Sequence, residues 1–520
     1  MKAARDRSTT PLSEVGGFSP EWQRPQTHPR KVRKSSPEAP TVVGLGNLTP
    51  VNPKDGGVQL PNGPWGTTVQ TLETPLKDPL LEGLRQSLQA ILASPLPGRA
   101  VMVKAAIQKR SESPHALYRA VADWRTAQIL EQLKGRTYVG RSAFVLNSED
   151  GHMYQPNTVR HSGAERVMSI GDSDRIGFAP YDLEVRSWLA SIELEGRGHE
   201  FSPSDRLKAM RAFLEAYEDG IRSVAKADDP EKRAKELRIT TEHGPKIMKP
   251  YLEAASDGSH QEWLKKVLES EPIRFKSNPA KLVPLPDDAA GHQLKETIAG
   301  ALSQYLTQLD QDDAKRLKDL SITDIVMPVK GNGSLGYGRY QVVLAPADGD
   351  RSKAVVLEFK EQIATPTDRA KEPIDQSSTF MFGEDQGTRA VSLFRLGTGQ
   401  HAARDWASVE LPGAGVLSSH FTVKEIHGDE QGMDLSHLKK GDFIEMAAAQ
   451  GRIVASFQAL GGINGAAAKV GGAADIWADL KSRKGFAAES IAGAGLLADQ
   501  TASLFEKHQA TFGPIAAALS

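Results

Sequence analysis

Cysteine is absent from all 520 residues, which excludes disulfides, thiolate metal centres and thiol nucleophiles together. A chain without cysteine suits the cytosol and suits equally a protein exported unfolded. No apolar run approaches the roughly 18 residues that cross a bilayer, and the N-terminal residues lack the apolar centre of a secretory signal. The expectation is a protein soluble where it is made, with no membrane span: cytoplasmic, or alternatively exported as an effector. An excess of charge is missing too. With 64 Lys and Arg against 65 Asp and Glu, no global field draws the chain to nucleic acid or to an anionic membrane. The thirteen histidines form no His-Glu-x-x-His, and His420 and His427, flanking one apolar stretch, read as structural or exposed rather than as ligands. Gly-x-Ser-x-Gly does not occur, nor does Gly-x-x-x-x-Gly-Lys-Ser/Thr, so the nucleophile elbow and the P-loop are both excluded.

What is present is ordinary globular composition, 39% hydrophobic and 25% charged, in a length that accommodates two or three domains. Residues 1–75 are rich in Pro, Ser, Thr and Gly and carry the basic run His28-Pro29-Arg30-Lys31-Val32-Arg33-Lys34. Such composition cannot bury enough surface to offset the entropy of ordering, so a disordered tail is expected. Helical spacing starts at Leu80, Leu81, Leu84, Leu88 and Ile91. Ser202 reads as an N-cap, with Pro203 in the first turn and Leu207, Met210, Phe213, Leu214, Tyr217, Ile221 and Val224 on one face of the following helix. Past Leu320 the period changes to that of strands, at 322–329, 339–344, 354–360 and 420–426, with one short helix near 388–396. Helices return at 438–460 and 486–508. The order is therefore a helical part at 76–318, a β-rich part at 319–430 and a closing helical part at 431–520, an α+β chain.

The chemistry concentrates at Val329-Lys330-Gly331-Asn332-Gly333-Ser334-Leu335-Gly336-Tyr337-Gly338 and at the strand that ends Phe359-Lys360-Glu361. Glycines between two strands let backbone N–H groups close on a phosphate, and a lysine at the end of the second strand can reach the same phosphate. This is the layout of the glycine-rich hairpin and strand lysine of protein-kinase-like folds. An ordinary flexible hairpin turn is the competing reading.

Several separated segments resemble, in the same order, one bacterial family, the domain of unknown function 2252. Ser113-Pro114-His115-Ala116-Leu117-Tyr118-Arg119 is similar to its early Ser-Pro-Phe-x-Phe-x-Arg, Gly171-Asp172-Ser173-Asp174 to its Asn-Asp-Phe-Asp, and Pro180-Tyr181-Asp182-Leu183-Glu184 to its Pro-Trp-Glu-Trp-Asp. Gly331 to Gly336, Lys360-Glu361, Arg389, Arg395 and Val423-Lys424-Glu425 follow its glycine loop and later motifs. The resemblance implies a kinase-like two-lobe fold, circularly permuted, with a small antiparallel sheet lobe on a large helical lobe and ATP with Mg²⁺ between them. Gly331, Gly333, Ser334, Gly336 and Lys360 would hold the nucleotide, and Asp172 and Asp174 the metal.

One departure bears on catalysis. Where the family carries Gly-Asp-x-His-x-x-Asn, this chain is read as Gly140-Arg141-Ser142-Ala143 with Asn147 one residue out of register. An arginine accepts no proton at neutral pH, so the expectation is a nucleotide-binding protein with a degenerate catalytic motif, Asn147 its weak catalytic candidate. Glu149 and Asp150 lie close by in what reads as a surface turn. An active kinase for a small molecule or protein is one alternative, and an interaction protein that kept only the fold is another.

Overall fold

The computed structural model describes residues 75–519 apart from 95, 161–165, 255–256, 279, 370–381, 383–384, 400–404, 429–431 and 467–468. The tail expected to be disordered lies outside the described residues. The protein is an α+β chain in which the strands of every named pair run antiparallel.

Four short strands come first. Strand β1 (Val145–Asn147) pairs with β4 (Gly177–Ala179), and β2 (Pro156–Arg160) pairs with β3 (Arg166–Ile170) inside that frame. The nesting brings two loops, 148–155 and 171–176, to one place. These strands escaped the sequence reading because β1 and β4 are three residues each and buried throughout, leaving no alternation to detect.

Six further strands form one sheet in the order β5 (Leu282–Pro284), β6 (Leu320–Pro328), β7 (Arg339–Pro346), β8 (Val355–Glu361), β10 (His420–Glu425) and β9 (Ala407–Glu410). Alternation sorts its faces. Tyr340, Val342, Leu344, Leu357, Phe359, Phe421 and Val423 bury one face against the helices Pro79–Ala93, Arg99–Arg110 and Ala289–Gln308. The other face is apolar at one end, where Val326, Val343 and Val356 meet the Asp257–Val267 helix, and polar at the other. There the register sets Arg339 and Thr422 on either side of Lys360.

The second large core lies among the helices Tyr181–Gly198, Pro203–Ala225 and Lys440–Asn464 and the small strands. Ser202 caps the middle helix, its side chain accepting from the Asp205 N–H at 3.2 Å, and Phe213, Leu214, Tyr217, Ile221 and Val224 are buried as their spacing requires. Such a cap contributes about 1 kcal/mol, and the apolar face supplies most of the rest. Among the described residues no helix is long and apolar enough to cross a membrane.

Candidate functional site

The polar end of the sheet, the glycine loop and the two nested loops converge on a cavity of about 130 Å³. Arg119, Asp150, His152, Gln155, Asp172, Asp174, Arg175, Gly331, Gly333, Ser334 and Arg339 all contribute to its wall. Lys360 is held at one side. Its Nζ donates to Asp172 Oδ1 and Oδ2 at 2.9 and 3.1 Å and pairs with Asp174 as well. Two carboxylates around one ammonium leave a net negative charge. Burial works against ionising either, yet the Lys360 charge holds Asp172 well below the usual carboxylate range. Burial and the neighbouring Asp172 charge push Asp174 up to about 6.

The loop bearing both aspartates is fixed from behind. Arg389 is fully buried and donates to the backbone carbonyls of Asp174 (2.7 Å), Ile176 and Ile363 (3.1 Å), with its Nε on Gln386 Oε1 at 2.7 Å. Glu361, one residue beyond Lys360, faces the opposite way and accepts from the N–H groups of Gly338 (2.6 Å), Val416 (2.9 Å), Leu417 (2.5 Å) and Ser418 (2.8 Å). It pins the end of the glycine loop to the turn before β10.

The glycine loop is itself docked on the first helices. Lys109 Nζ donates to Gly331 O at 2.8 Å, and Asn332 Nδ2 donates to Ala116 O at 2.7 Å. Gly331 has φ +96°, which favours glycine, and a Cβ on Gly333 would lie 2.0 Å from Arg175 Nη2 and 3.0 Å from the Arg119 carbonyl oxygen, so a side chain there would push Arg175 aside. Gly336 differs from expectation. It is not part of the cavity wall; its φ is +97° and a Cβ there would lie 2.4 Å from Ile91 Cδ1. Its missing side chain serves packing against the Pro79–Ala93 helix.

Three further expectations are corrected. Asn147 is fully buried and its Nδ2 donates to Val145 O (3.0 Å) and Ala179 O (2.9 Å), so it ties β1 to β4 and takes no part in the cavity. Arg141 is exposed, with Nε 3.7 Å from Asp475 Oδ2, and is likewise absent from the cavity wall. The stretch from Ser148 to His152 is no surface turn: Ser148, Glu149 and His152 are buried. Its Asp150 accepts from Arg175 Nη1 at 2.8 Å and Arg125 Nη2 at 3.2 Å. Burial opposes its charge, but Arg175 and Arg125 hold its carboxyl well below the usual range. Burial and Arg119 push His152 down to about 3, so that imidazole is neutral.

The signal for this segment stood in the sequence. Asp150-Gly151-His152-Met153-Tyr154-Gln155 repeats the spacing Asp-x-His-x-x-Asn nine residues beyond Arg141, with Gln for Asn and Glu149 for the leading Gly. The offset of five from Asp150 to Gln155 is also that of the aspartate and asparagine in a kinase catalytic loop. Requiring the glycine put the motif at 140–147.

A family model described as an uncharacterized protein conserved in bacteria (DUF2252) matches residues 101–511. The chain belongs to that family. The matched span of the DUF2252 chain includes every residue of the cavity wall. No curated protein and no solved structure matches it.

Proposed function

We propose that this DUF2252 protein is a phosphotransferase of kinase-like, circularly permuted design that uses ATP with Mg²⁺. The observation that carries the reading is the pairing of Lys360 with Asp172 and Asp174, two carboxylates that line one cavity together with Asp150, Gln155, Gly331, Gly333 and Ser334; Lys360 itself stands behind them and is not part of the wall. Asp150 favours an active enzyme over a degenerate one, since the place that Arg141 was read to occupy falls to a carboxylate. The donor set fits a divalent cation: Asp172 and Asp174 offer hard oxygen ligands of the kind Mg²⁺ takes. The ion would offset charge on a phosphate chain.

This chain's own residues do the remainder. Lys360 and Arg339, released in part from their carboxylate partners, hold phosphate oxygens. Backbone N–H groups around Gly331 and Gly333 approach them without a Cβ in the way. Arg119 and Arg175 face charge that develops during transfer. Asp150 orients the acceptor hydroxyl and takes its proton, a role in which a carboxylate with a low pKa serves chiefly by position. Among the described residues the cavity wall holds no aliphatic side chain, which suits a phosphate chain rather than a purine.

The experiment is binding first and turnover second. ATP with Mg²⁺ at a hundredfold over its dissociation constant should stabilise the chain by about 2.7 kcal/mol, and the Asp172→Asn, Asp174→Asn double variant should lose both the shift and its dependence on Mg²⁺. Asp150→Asn should keep binding while lowering phosphotransfer by about a hundredfold or more. No Mg²⁺-dependent shift with any nucleoside triphosphate would leave the interaction-protein reading in its place.

A further inference from the structure

Away from that cavity, three side chains from two parts of the chain meet at the end of β10. His260 comes from the Asp257–Val267 helix, Glu425 is the last residue of β10, and His427 lies in the turn that follows. One potential ligand atom from each lies within 4.8 Å of the other two. None of the three belongs to the cavity wall. We propose that His260, Glu425 and His427 bind a zinc ion, a site separate from the phosphotransfer cleft and serving to fasten the Asp257–Val267 helix to the sheet.

The surroundings are those of a supported metal site. His427 Nδ1 lies 3.9 Å from Glu425 Oε1, while its Nε2 lies 3.6 Å from Asp405 Oδ2. A ligating histidine backed by a carboxylate on its other nitrogen is the usual way its tautomer and ring orientation are set. Arg316 forks onto Glu425, Nη2 to Oε2 at 2.5 Å and Nη1 to Oε1 at 3.3 Å. The fork holds the buried carboxylate in place and leaves one lone pair on Oε1 for a cation. Two imidazoles with one carboxylate select a borderline ion such as Zn²⁺ over Mg²⁺ or Ca²⁺, which prefer all-oxygen sets. In a chain without cysteine, nitrogen and oxygen are the donors available.

One contact must be exchanged on loading. The Gly428 N–H donates to His260 Nδ1 at 3.2 Å. Metal at Nδ1 displaces that bond directly, and metal at Nε2 displaces it because the ring proton then resides on Nδ1. Zinc uptake therefore shifts the backbone at 427–428.

The competing account is an ion network of Arg316, Glu425, His427 and Asp405 that needs no metal, and in that account His260 is dispensable. The full-length chain, stripped with chelator, is titrated with Zn²⁺ against a chromophoric chelator and, separately, with Co²⁺ for its visible absorption. The expected result is one ion per chain. His260→Ala, on a partly exposed helix face, and His427→Gln should each abolish stoichiometric uptake with circular dichroism unchanged. Asp405→Asn should weaken it by about tenfold to a hundredfold. Absence of uptake of either ion, or uptake unaltered in the His260→Ala, His427→Gln double variant, overturns the proposal.

Discussion

Replacing Glu149 by glutamine should reverse part of the chain's pH dependence. Glu149 is fully buried; its Oε2 accepts from the Thr367 N–H at 2.7 Å and its Oε1 has no hydrogen-bond partner. Burial, with the Asp368 charge second, raises its pKa from 4.5 to about 8, so the folded protein holds it neutral at pH 7. The unfolded chain ionises this group near 4.5 and the folded chain near 8. Its contribution to stability is therefore complete below the first value and lost as pH rises through the second, with a slope of about 1.4 kcal/mol per pH unit between them. Between about pH 5.5 and about pH 7.5 that amounts to about 2.5 kcal/mol. Glutamine keeps an oxygen for Thr367 and carries no charge in either state. Urea unfolding of both proteins at the two pH values measures the difference, and all other titrating groups cancel in it. The variant should gain about 2.5 kcal/mol on the parent over that interval; a difference independent of pH would mean that Glu149 is ionised in the fold and the reasoning fails.

Arg389→Met should destabilise by about 3 kcal/mol or more, because three carbonyl oxygens lose a buried donor at about 1–3 kcal/mol each, and the slackened Asp172–Asp174 loop should weaken Mg²⁺-dependent nucleotide binding in a titration. Gly336→Ala should cost at least about 1 kcal/mol in chemical unfolding, from its positive φ and the Ile91 contact, and Ile91→Ala in the same chain should recover the steric part. Arg141→Ala, on an exposed residue, should change stability by less than about 0.5 kcal/mol and leave any phosphotransfer rate intact.

Periodic features were legible. The Pro203–Ala225 helix announces its start through Ser202 and Pro203, and strands β6, β7, β8 and β10 fall within two residues of their expected bounds. Short, wholly buried elements were not, since β1 and β4 offer no period. The Ala289–Gln308 and Gln311–Leu317 helices are parted where Leu309 is extended and Asp310 caps the second, a break that apolar periodicity does not announce. Of the candidate residues, Gly331, Gly333, Ser334, Asp172 and Asp174 do meet at one cavity and Lys360 pairs with both aspartates, whereas Gly336 lies outside the wall. The role of Asn147 could not be named in advance, because a buried amide that bonds two carbonyls and one that binds a ligand look alike in sequence. Asp150 was hidden by polarity: Ser-Glu-Asp-Gly-His reads as a solvated turn unless the arginines that pair with it, Arg125 and Arg175, are known to be near. His427 was likewise set aside, its neighbours His260 and Asp405 being remote in sequence.

The embrace of Lys360 by Asp172 and Asp174 has a consequence for the order in which ligands are accepted. A lone divalent cation approaching the carboxylates meets the ammonium, and a lone phosphate chain approaching the ammonium meets the carboxylates. In the proposed phosphotransferase the two, arriving together, would exchange partners: the cation would take the carboxylates and the phosphates the lysine, so no charge would be stranded. Reciprocity then requires that each ligand raise the affinity of the other by the same factor. The cleft would discriminate against metal-free nucleotide and against nucleotide-free metal by one and the same device.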